Sequence, residues 1–284
     1  MDKSVSGYSS PPARRFGIPM DMQEQHWKKF CTHHLGDWHG TRTRYSPQGE
    51  VIESSEGFRM IRANPEQTEI THTNRSIYAD GRTEEQSWQF NNQSNNFADG
   101  IMHPITSLMR FLVFEQGAAA GVYKKLEAGS SFGIELFFRH HNLRRSLVII
   151  YDKNGSLFRM TSIREDAFTF PNQYWSKEVK LSPERNLSGN WIGNSLTMTP
   201  DLKVSPAVPT QLHWPIEENK NFYFPDGLSL SCPNQALVGS NFTIVANWLV
   251  TSSYLQQLIV KYNDSGAFSS LTFEEFHLKD AVGA

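Results

Sequence analysis

Hydrophobic and polar residues alternate along most of this chain. Between residues 132 and 138 every even position is a large apolar residue, and the same period recurs between residues 242 and 248. A period of two predicts strands that bury one face. Turn residues separate these segments roughly every 8–12 residues, and Asp80-Gly81 and Asn154-Gly155 are the strongest hairpin signals. We therefore predict an all-β protein of antiparallel up-and-down barrels, with a β-sandwich as the alternative.

One segment near the N-terminus has a helical period instead. Asp21 and Glu24 have the spacing of a capping box, Trp27 and Phe30 recur at helical spacing, and Gly36 follows as a C-cap. We expect a short helix that lies across one end of a barrel with Trp27 and Phe30 facing inward.

Three short phrases occur twice, in the same order. The pairs are Gly36-Asp37-Trp38-His39-Gly40 with Gly189-Asn190-Trp191-Ile192-Gly193, Phe97-Ala98-Asp99-Gly100 with Phe224-Pro225-Asp226-Gly227, and Tyr151-Asp152-Lys153-Asn154-Gly155 with Tyr262-Asn263-Asp264-Ser265-Gly266. Repeated order is harder to obtain by chance than any single match. The phrases therefore predict an internal duplication of one β-rich unit.

The repeat divides the 284 residues into three parts. Residues 1–20 are rich in Ser, Gly and Pro and are predicted to be a mobile arm. Residues 21–170 form the first predicted barrel, with the helix, and residues 171–284 the second, smaller one. We expect the longer first barrel to hold an open cavity. The second should be packed support, filled by Trp214, Tyr223, Trp248 and Tyr262.

Composition excludes several classes of function. With 27 basic and 29 acidic residues the net charge is -2, so the protein has no overall positive electrostatic potential that would attract nucleic acid. Cys31 and Cys232 are the only cysteines, which excludes a disulfide scaffold and favours a reducing compartment. No apolar stretch long enough to span a membrane and no secretory signal is present, so we expect a cytoplasmic protein. Aromatic residues make up 12% of the chain, which suits a lined cavity.

The sequence offers little conventional catalytic chemistry. Gly129-Ser130-Ser131-Phe132-Gly133 matches a nucleophile elbow, but an alternating strand follows where that motif needs a helix. Adjacent histidines at His33-His34 and His140-His141 point in different directions, so neither pair converges on a metal ion. We predict no metal site and no cofactor.

The Gly-x-Trp phrase after a short helix, opening a meander of strands, resembles the lipocalin or calycin superfamily. In that family the Trp closes one end of a barrel around a lipophilic cavity. The resemblance implies barrel-closing roles for Gly36 and Trp38 and for Gly189 and Trp191. It also implies an Arg from a late strand stacked on the closing Trp, for which Arg164 is the candidate.

The paired phrases and the run from Phe224 to Pro233 look like an uncharacterised cyanobacterial family built from two calycin-like halves. A more distant similarity is to calycin-type phycobiliprotein lyases. The resemblance implies a lipophilic small molecule as the partner. The charge balance and the hydropathy, independently of the resemblance, predict no nucleic acid partner and no membrane span.

Three hypotheses for function follow. The first is binding of a lipophilic or conjugated molecule of the fatty acid, bilin or carotenoid class in a barrel cavity. The second is a chromophore lyase or an isomerase or cyclase that acts without a nucleophile, and the third is a protein-interaction scaffold whose barrels are packed solid. The more apolar face of the strand at residues 132–138 is the favoured lumen face, which puts Glu135 and Arg139 outside. The alternation alone leaves the other parity open, in which Glu135 and Arg139 form a polar pair that orients a ligand in the cavity. The expected ligand-binding residues are then Phe132, Leu136, Phe138, Arg144 and Arg145, the two arginines lying at the mouth. The alternative for the basic cluster that contains Arg144 and Arg145 is a charged hairpin tip without a ligand.

Overall fold

A computed structural model describes residues 21–168 and 173–279. The predicted arm at residues 1–20 and the predicted barrel boundary at residues 170 and 171 lie outside the described residues. Within them the chain is nearly all β, as predicted, and forms two antiparallel sheets with an N-terminal helix.

The elements of the first sheet, in chain order, are α1 (Met22–His34), β1 (Gly36–Tyr45), β2 (Val51–Ala63), β3 (Glu69–Tyr78), β4 (Thr83–Asn91), α2 (Asn92–Asn95), β5 (Asn96–Phe97), β6 (Gly100–His103), β7 (Thr106–Val113), β8 (Ala119–Tyr123), β9 (Phe132–His140), β10 (Leu143–Tyr151) and β11 (Leu157–Asp166). Those of the second are β12 (Asn190–Met198), β13 (Val208–Gln211), β14 (Lys220–Tyr223), β15 (Leu228–Cys232), β16 (Phe242–Thr251), β17 (Tyr254–Tyr262) and β18 (Phe268–Lys279).

The first sheet curls into a nearly closed barrel. Its eleven strands run in the order β4-β3-β2-β1-β11-β10-β9-β8-β7-β6-β5, so that β4 and β5 are the two edges. The single turn of α2 joins these edges directly. Across the gap, the rings of Trp88 on β4 and His103 on β6 lie 5.8 Å apart. Closing the sheet in this way covers edges that would otherwise be free to pair with another chain.

Helix α1 closes one end of this barrel. Trp27 and Phe30 are buried against the apolar inner face of the sheet, as the helical period predicted. The capping prediction is wrong, because Asp21 is the N-cap residue but its side chain makes no capping hydrogen bond. Leu35, with extended backbone, ends the helix, and Gly36 already belongs to β1. No helix in residues 21–168 and 173–279 has the length and apolarity to cross a membrane.

The second sheet repeats the strand order of the first. Its order β13-β12-β18-β17-β16-β15-β14 corresponds to β2-β1-β11-β10-β9-β8-β7. The registers agree as well, since His39 pairs with Asp166 and Ile192 pairs with His277. Trp38 and Trp191, each one residue earlier, therefore occupy equivalent positions.

This correspondence changes one of the predicted phrase pairs. Residues 224–227 form the turn between β14 and β15, whose counterpart is the turn between β7 and β8 at residues 114–117. Residues 97–100 lie instead at the β5 to β6 turn, which has no counterpart among the described strands of the second sheet. The first and third phrase pairs do fall at corresponding places.

The main hydrophobic core lies between the two sheets. The outer face of the first sheet packs on one face of the second, with Phe138 and Trp248 rings 6.4 Å apart and Phe114 and Phe273 rings 5.7 Å apart. Tyr262 and Trp248, expected inside the second barrel, belong to this shared core. The largest apolar burial in the molecule therefore stabilises the contact between the sheets.

Candidate functional site

The inner face of the first sheet encloses a cavity of about 610 Å³. One part of its wall is apolar, and α1 and strands β2, β4, β7 and β9 contribute Phe30, Ile61, Phe90, Met109, Phe111 and Phe137. Ile105, in the turn between β6 and β7, also lines the cavity and is 64% exposed. The cavity therefore opens to solvent beside that turn.

Strand β9 has the opposite sidedness to the predicted one. Glu135 and Phe137 line the cavity, whereas Phe132, Leu136 and Phe138 are buried in the core between the sheets. Both faces of this strand are covered, so the more apolar face is the one that meets the second sheet rather than the lumen. Phe132, Leu136 and Phe138 are therefore not cavity residues, and the surface position expected for Glu135 is also wrong.

The repeated Gly-x-Trp-x-Gly phrase has a structural cause. Trp38 is only 1% exposed, and its indole Nε1 donates to the carbonyl of His34 at 3.3 Å. At the last glycine of the phrase, an added Cβ at Gly40 would lie 1.7 Å from the backbone oxygen of Arg164. The equivalent distance at Gly193 is 2.0 Å, to the oxygen of Glu275. Close approach of neighbouring strands thus requires glycine in both copies.

An arginine does stack on Trp38, but it is not the predicted one. The guanidinium carbon of Arg144, on β10, lies 4.1 Å from the centroid of the Trp38 ring. Arg164 contacts Asp226 instead, at 2.8 Å, and so links the first sheet to the turn before β15. The alternation of β11 explains the difference, because Glu165 faces the side of Trp38 and Arg144 while Arg164 faces the second sheet.

Arg144 belongs to a group of four charges, of which three are buried and Glu135 is half-buried. Its Nε donates to Glu165 at 2.7 Å, and Arg59 lies 3.1 Å from Glu165 and 3.2 Å from Glu135. Burial would raise the pKa of Glu165, but the positive charges of Arg144 and Arg59 outweigh it and lower the pKa from 4.5 to about 2. The carboxylate is therefore ionised at neutral pH.

The remaining donors of Arg144 are unused. Arg144 lines the cavity and is fully buried, yet neither of its terminal nitrogens, Nη1 and Nη2, has a hydrogen-bond partner among the described residues. His34 is also buried in the cavity wall, and its Nε2 likewise has no hydrogen-bond partner among the described residues. Burial lowers the pKa of His34 well below its usual value, so its ring is neutral.

Arg145 points the other way, into the core between the sheets. Its Nη2 donates to the carbonyl of Pro225 at 2.8 Å, and its guanidinium carbon lies 5.8 Å from the centroid of the Trp175 ring. Both Arg144 and Arg145 are 0% exposed, so neither lies at a mouth or in a charged hairpin tip as predicted. Of the five predicted ligand residues, only Arg144 lines the cavity.

In the second sheet the same positions are apolar. Strand register places Leu255 where Arg144 stands and Phe276 where Glu165 stands. Leu212 follows Gln211, the partner of Ile192, and extending that register by one residue puts it where Arg59 stands. These side chains pack with Trp191, which follows Gly189 in that copy of the phrase. A small hydrophobic cluster therefore surrounds Trp191, where a charged group surrounds Trp38.

The described residues contain neither a reactive thiol nor a group of metal ligands. Cys31 and Cys232 are free and buried, and burial raises their thiol pKa values to about 11 and about 12, so both stay protonated. No group of three or more His, Cys, Asp or Glu suited to a metal ion occurs within residues 21–168 and 173–279.

Comparison with solved structures supports the fold. A protein of unknown function from the DUF3598 family of Nostoc punctiforme is 22% identical, with a TM-score of 0.71, and the alignment covers 89% of this chain and 99% of that one. An S-type phycobiliprotein lyase from Guillardia theta is 11% identical, with a TM-score of 0.35, over 53% of this chain and 97% of its own. No functionally curated protein matches the chain.

Comparison with family models assigns the two parts of the chain separately. Residues 214–277 match the model described as the C-terminal domain of biogenesis factor required for ATP synthase 1. Residues 23–170, just over half of the chain, match the N-terminal model of the DUF3598 domain of unknown function. The chain belongs to the DUF3598 family.

Proposed function

We propose that the cavity of the first sheet binds a lipophilic or conjugated small molecule, of the fatty acid, bilin or carotenoid class. The observation that carries this proposal is Arg144, which lines a largely apolar cavity and has two terminal nitrogens without a partner among the described residues. A cavity of about 610 Å³ lies within the range of small-molecule sites, which combine apolar walls with a few polar groups.

The unused donors of Arg144 favour an oxygen atom of the ligand as their partner. A buried donor without an acceptor costs roughly 1–3 kcal/mol, and more when it is charged. A ligand carbonyl, hydroxyl or carboxylate oxygen at Nη1 and Nη2 would remove that cost. Glu165 accepts a hydrogen bond from Arg144 Nε at 2.7 Å and already balances its charge. The place beside Nη1 and Nη2 therefore suits a neutral oxygen atom of the ligand, or an oxygen that another group of the protein also contacts.

The second sheet supports a binding role for these charges. It brings Trp191 together with Leu255 and Phe276 at the equivalent positions, so closure at this tryptophan does not need an ion pair. Buried ion pairs are often no more stabilising than apolar residues of similar size. The shared strand order and register support an internal duplication, with residues 21–170 and 171–284 as the two copies. The charges of the first copy then serve recognition.

Binding can be tested with cis-parinaric acid, a conjugated fatty acid whose fluorescence rises in an apolar site. We expect saturable binding to the wild-type protein. Gly121 lines the cavity and an added Cβ there would meet only ordinary contacts at 3.6–3.8 Å, so Gly121→Leu should fill the cavity without disturbing the backbone. This variant should lose most of the affinity while it melts near the wild-type temperature.

A matched control adds the same side chain elsewhere. Ser252 is exposed in the turn between β16 and β17, and Ser252→Leu adds equal apolar surface without touching the cavity. It should bind like the wild type. Equal binding by all three proteins would place the probe on the surface and reject the cavity, and native mass spectrometry of gently purified protein would identify any natural ligand.

A further inference from the structure

A second space lies beside the cavity inside the first sheet. It is a polar cleft of about 180 Å³, and Arg59, Glu135, Val148 and Arg159 line both spaces. The cavity and the cleft therefore share a wall. A ligand long enough to pass Arg59 and Glu135 would have its two ends in very different surroundings, one largely apolar and one polar.

The charges around the cleft do not balance. Besides Arg59, Arg44 has a carboxylate partner, with its Nη1 lying 2.7 Å from Glu53. Arg42 and Arg159 also line the cleft, and neither forms an ion pair with a carboxylate in residues 21–168 and 173–279. The cleft thus carries two positive charges that the described part of the protein leaves without an ion-pair partner.

Arg42 is held by neutral groups alone. Its Nη2 donates to Asn74 Oδ1 at 3.0 Å and its Nη1 to Ser76 Oγ at 3.4 Å, while its buried Nε has no partner among the described residues. Burial and the nearby charge of Arg59 lower the pKa of Arg42 to about 10, which still leaves it protonated at neutral pH. Asn74 and Ser76 therefore hold a charged group in place without neutralising it.

Arg159 approaches the cleft from another strand. Its Nε is buried and also lacks a partner among the described residues. Arg159 lies on β11 and Arg42 on the neighbouring β1, where Arg42 pairs with Ile163, so the two arginines line the cleft from positions four residues apart along the strands. Gly57 leaves room for the side chain of Arg42, because an added Cβ there would lie 3.0 Å from its Nε.

We propose that the polar cleft binds the oxyanion head group, a carboxylate or a phosphate, of an amphipathic ligand whose apolar part occupies the cavity. Arg42 and Arg159 supply the charge and the donors, as arginine pairs do for planar or tetrahedral oxyanions. This inference rests on the proposed function of the cavity. It assigns the acidic end of the ligand to these two residues rather than to Arg144, whose charge Glu165 already balances.

The test compares two probes with one tail and different heads. The wild-type protein should bind cis-parinaric acid more tightly than its methyl ester. In the double variant Arg42→Gln and Arg159→Gln, affinity for the acid should fall by roughly ten- to hundredfold, to the level of the ester, because charged hydrogen bonds are lost. Affinity for the ester should not change.

The matched control removes two charges from the outer face. Arg62 and Arg75 are exposed on β2 and β3, so Arg62→Gln with Arg75→Gln changes the net charge equally without reaching the cleft. This variant should discriminate acid from ester as the wild type does. Melting curves check folding, so that a variant that melts near the wild-type temperature reports on binding alone.

The outcomes separate this inference from the proposed function. If neither acid nor ester binds the wild type, both proposals fail. If the two probes bind the wild type equally, or if the double variant keeps the preference for the acid, the head-group site is overturned while the cavity stands.

A second measurement identifies the oxyanion. Dodecanoate or dodecyl phosphate should displace cis-parinaric acid from the wild type much better than dodecanol does, and the stronger of the two identifies the head group. Displacement by dodecanol at the same concentrations would overturn the proposal.

Discussion

The guanidinium of Arg144 lies over the indole ring of Trp38, 4.1 Å from its centroid, and connects strands that are not neighbours in the sheet. Trp38 comes from β1 and Arg144 from β10, with β11 between them. A desolvated cation over a tryptophan ring is worth about 2 kcal/mol or more. The contact between Trp38 and Arg144 thus links β1, β11 and β10 at the end of the barrel that α1 covers.

Replacing Trp38 by Ala should lower the free energy of unfolding by about 3–5 kcal/mol, the usual cost of removing a large buried aromatic side chain. Urea denaturation would measure the loss. Trp191→Ala should cost a similar amount, because Trp191 is also buried. If Trp38→Ala unfolds like the wild type and yet no longer binds cis-parinaric acid, Trp38 is a ligand contact rather than a structural plug.

Two adjacent phenylalanines should behave differently. Phe138 is fully buried between the sheets, so Phe138→Ala should destabilise by about 3–5 kcal/mol and leave binding of cis-parinaric acid unchanged. Phe137 lines the cavity, so Phe137→Ala should cost less stability and change the affinity. The opposite assignment of the two effects would reverse the sidedness of β9.

Acidification should remove stability through Glu165. The pKa of this carboxyl is about 2 in the folded protein, lowered from 4.5. A carboxyl with a lowered pKa stabilises the fold above its unfolded pKa, and that contribution is lost as the pH falls from about 4.5 towards 2.

The variant Glu165→Gln isolates this effect. At neutral pH it should be less stable by about 3–5 kcal/mol, because breaking a buried ion pair leaves the remaining charge buried without an opposite charge. Its stability should also fall less steeply than that of the wild type between pH 4.5 and 2. Parallel pH profiles for the two proteins would show that other carboxyls dominate acid unfolding.

The apolar cluster of the second sheet suggests a graft. Arg144→Leu with Glu165→Phe copies Leu255 and Phe276 into the first sheet. Replacing a buried ion pair by apolar residues is often neutral or stabilising, and Glu135 still pairs with Arg59 at 3.2 Å, so we expect the double variant to fold. We expect it to bind cis-parinaric acid more weakly.

A control for the graft uses the neighbouring arginine. Arg145→Met removes a charge that faces the second sheet rather than the cavity, so it should leave the affinity unchanged. Normal binding by the graft would show that the charges around Arg144 have no part in recognition.

Much of the fold is visible in the sequence because local rules determine it. The alternation in β9 and β16, the turns at Asp80-Gly81 and Asn154-Gly155, and the helix with Trp27 and Phe30 were all predicted from residue spacing. The Gly-x-Trp-x-Gly phrases mark equivalent strands because a close backbone approach demands glycine at the same place. Each of these features depends on neighbours in sequence.

The site was harder to predict because it depends on which face of a strand meets which layer. An alternating pattern gives two faces but does not say which is the lumen, and β9 is covered on both. Arg144 and Arg145 look alike in the sequence, yet they lie in different environments. The charge excess around Arg42 and Arg159 was also missed, since pairing each arginine with its carboxylate requires the register. The polar inner positions of β1, at Arg42 and Arg44, were the available signal.

The placement of the main core outside the barrel has a consequence for how the protein can change. The core between the outer face of the first sheet and the second sheet supplies most of the apolar burial. The side chains of the lumen therefore contribute less to the stability of the fold. Substitutions of apolar cavity-lining side chains, away from Trp38 and the ion pairs of Glu165, can then accumulate in evolution without unfolding the chain. The same scaffold is free to acquire new specificities in descendants, and the lumen is the part of the chain where homologous proteins should diverge most.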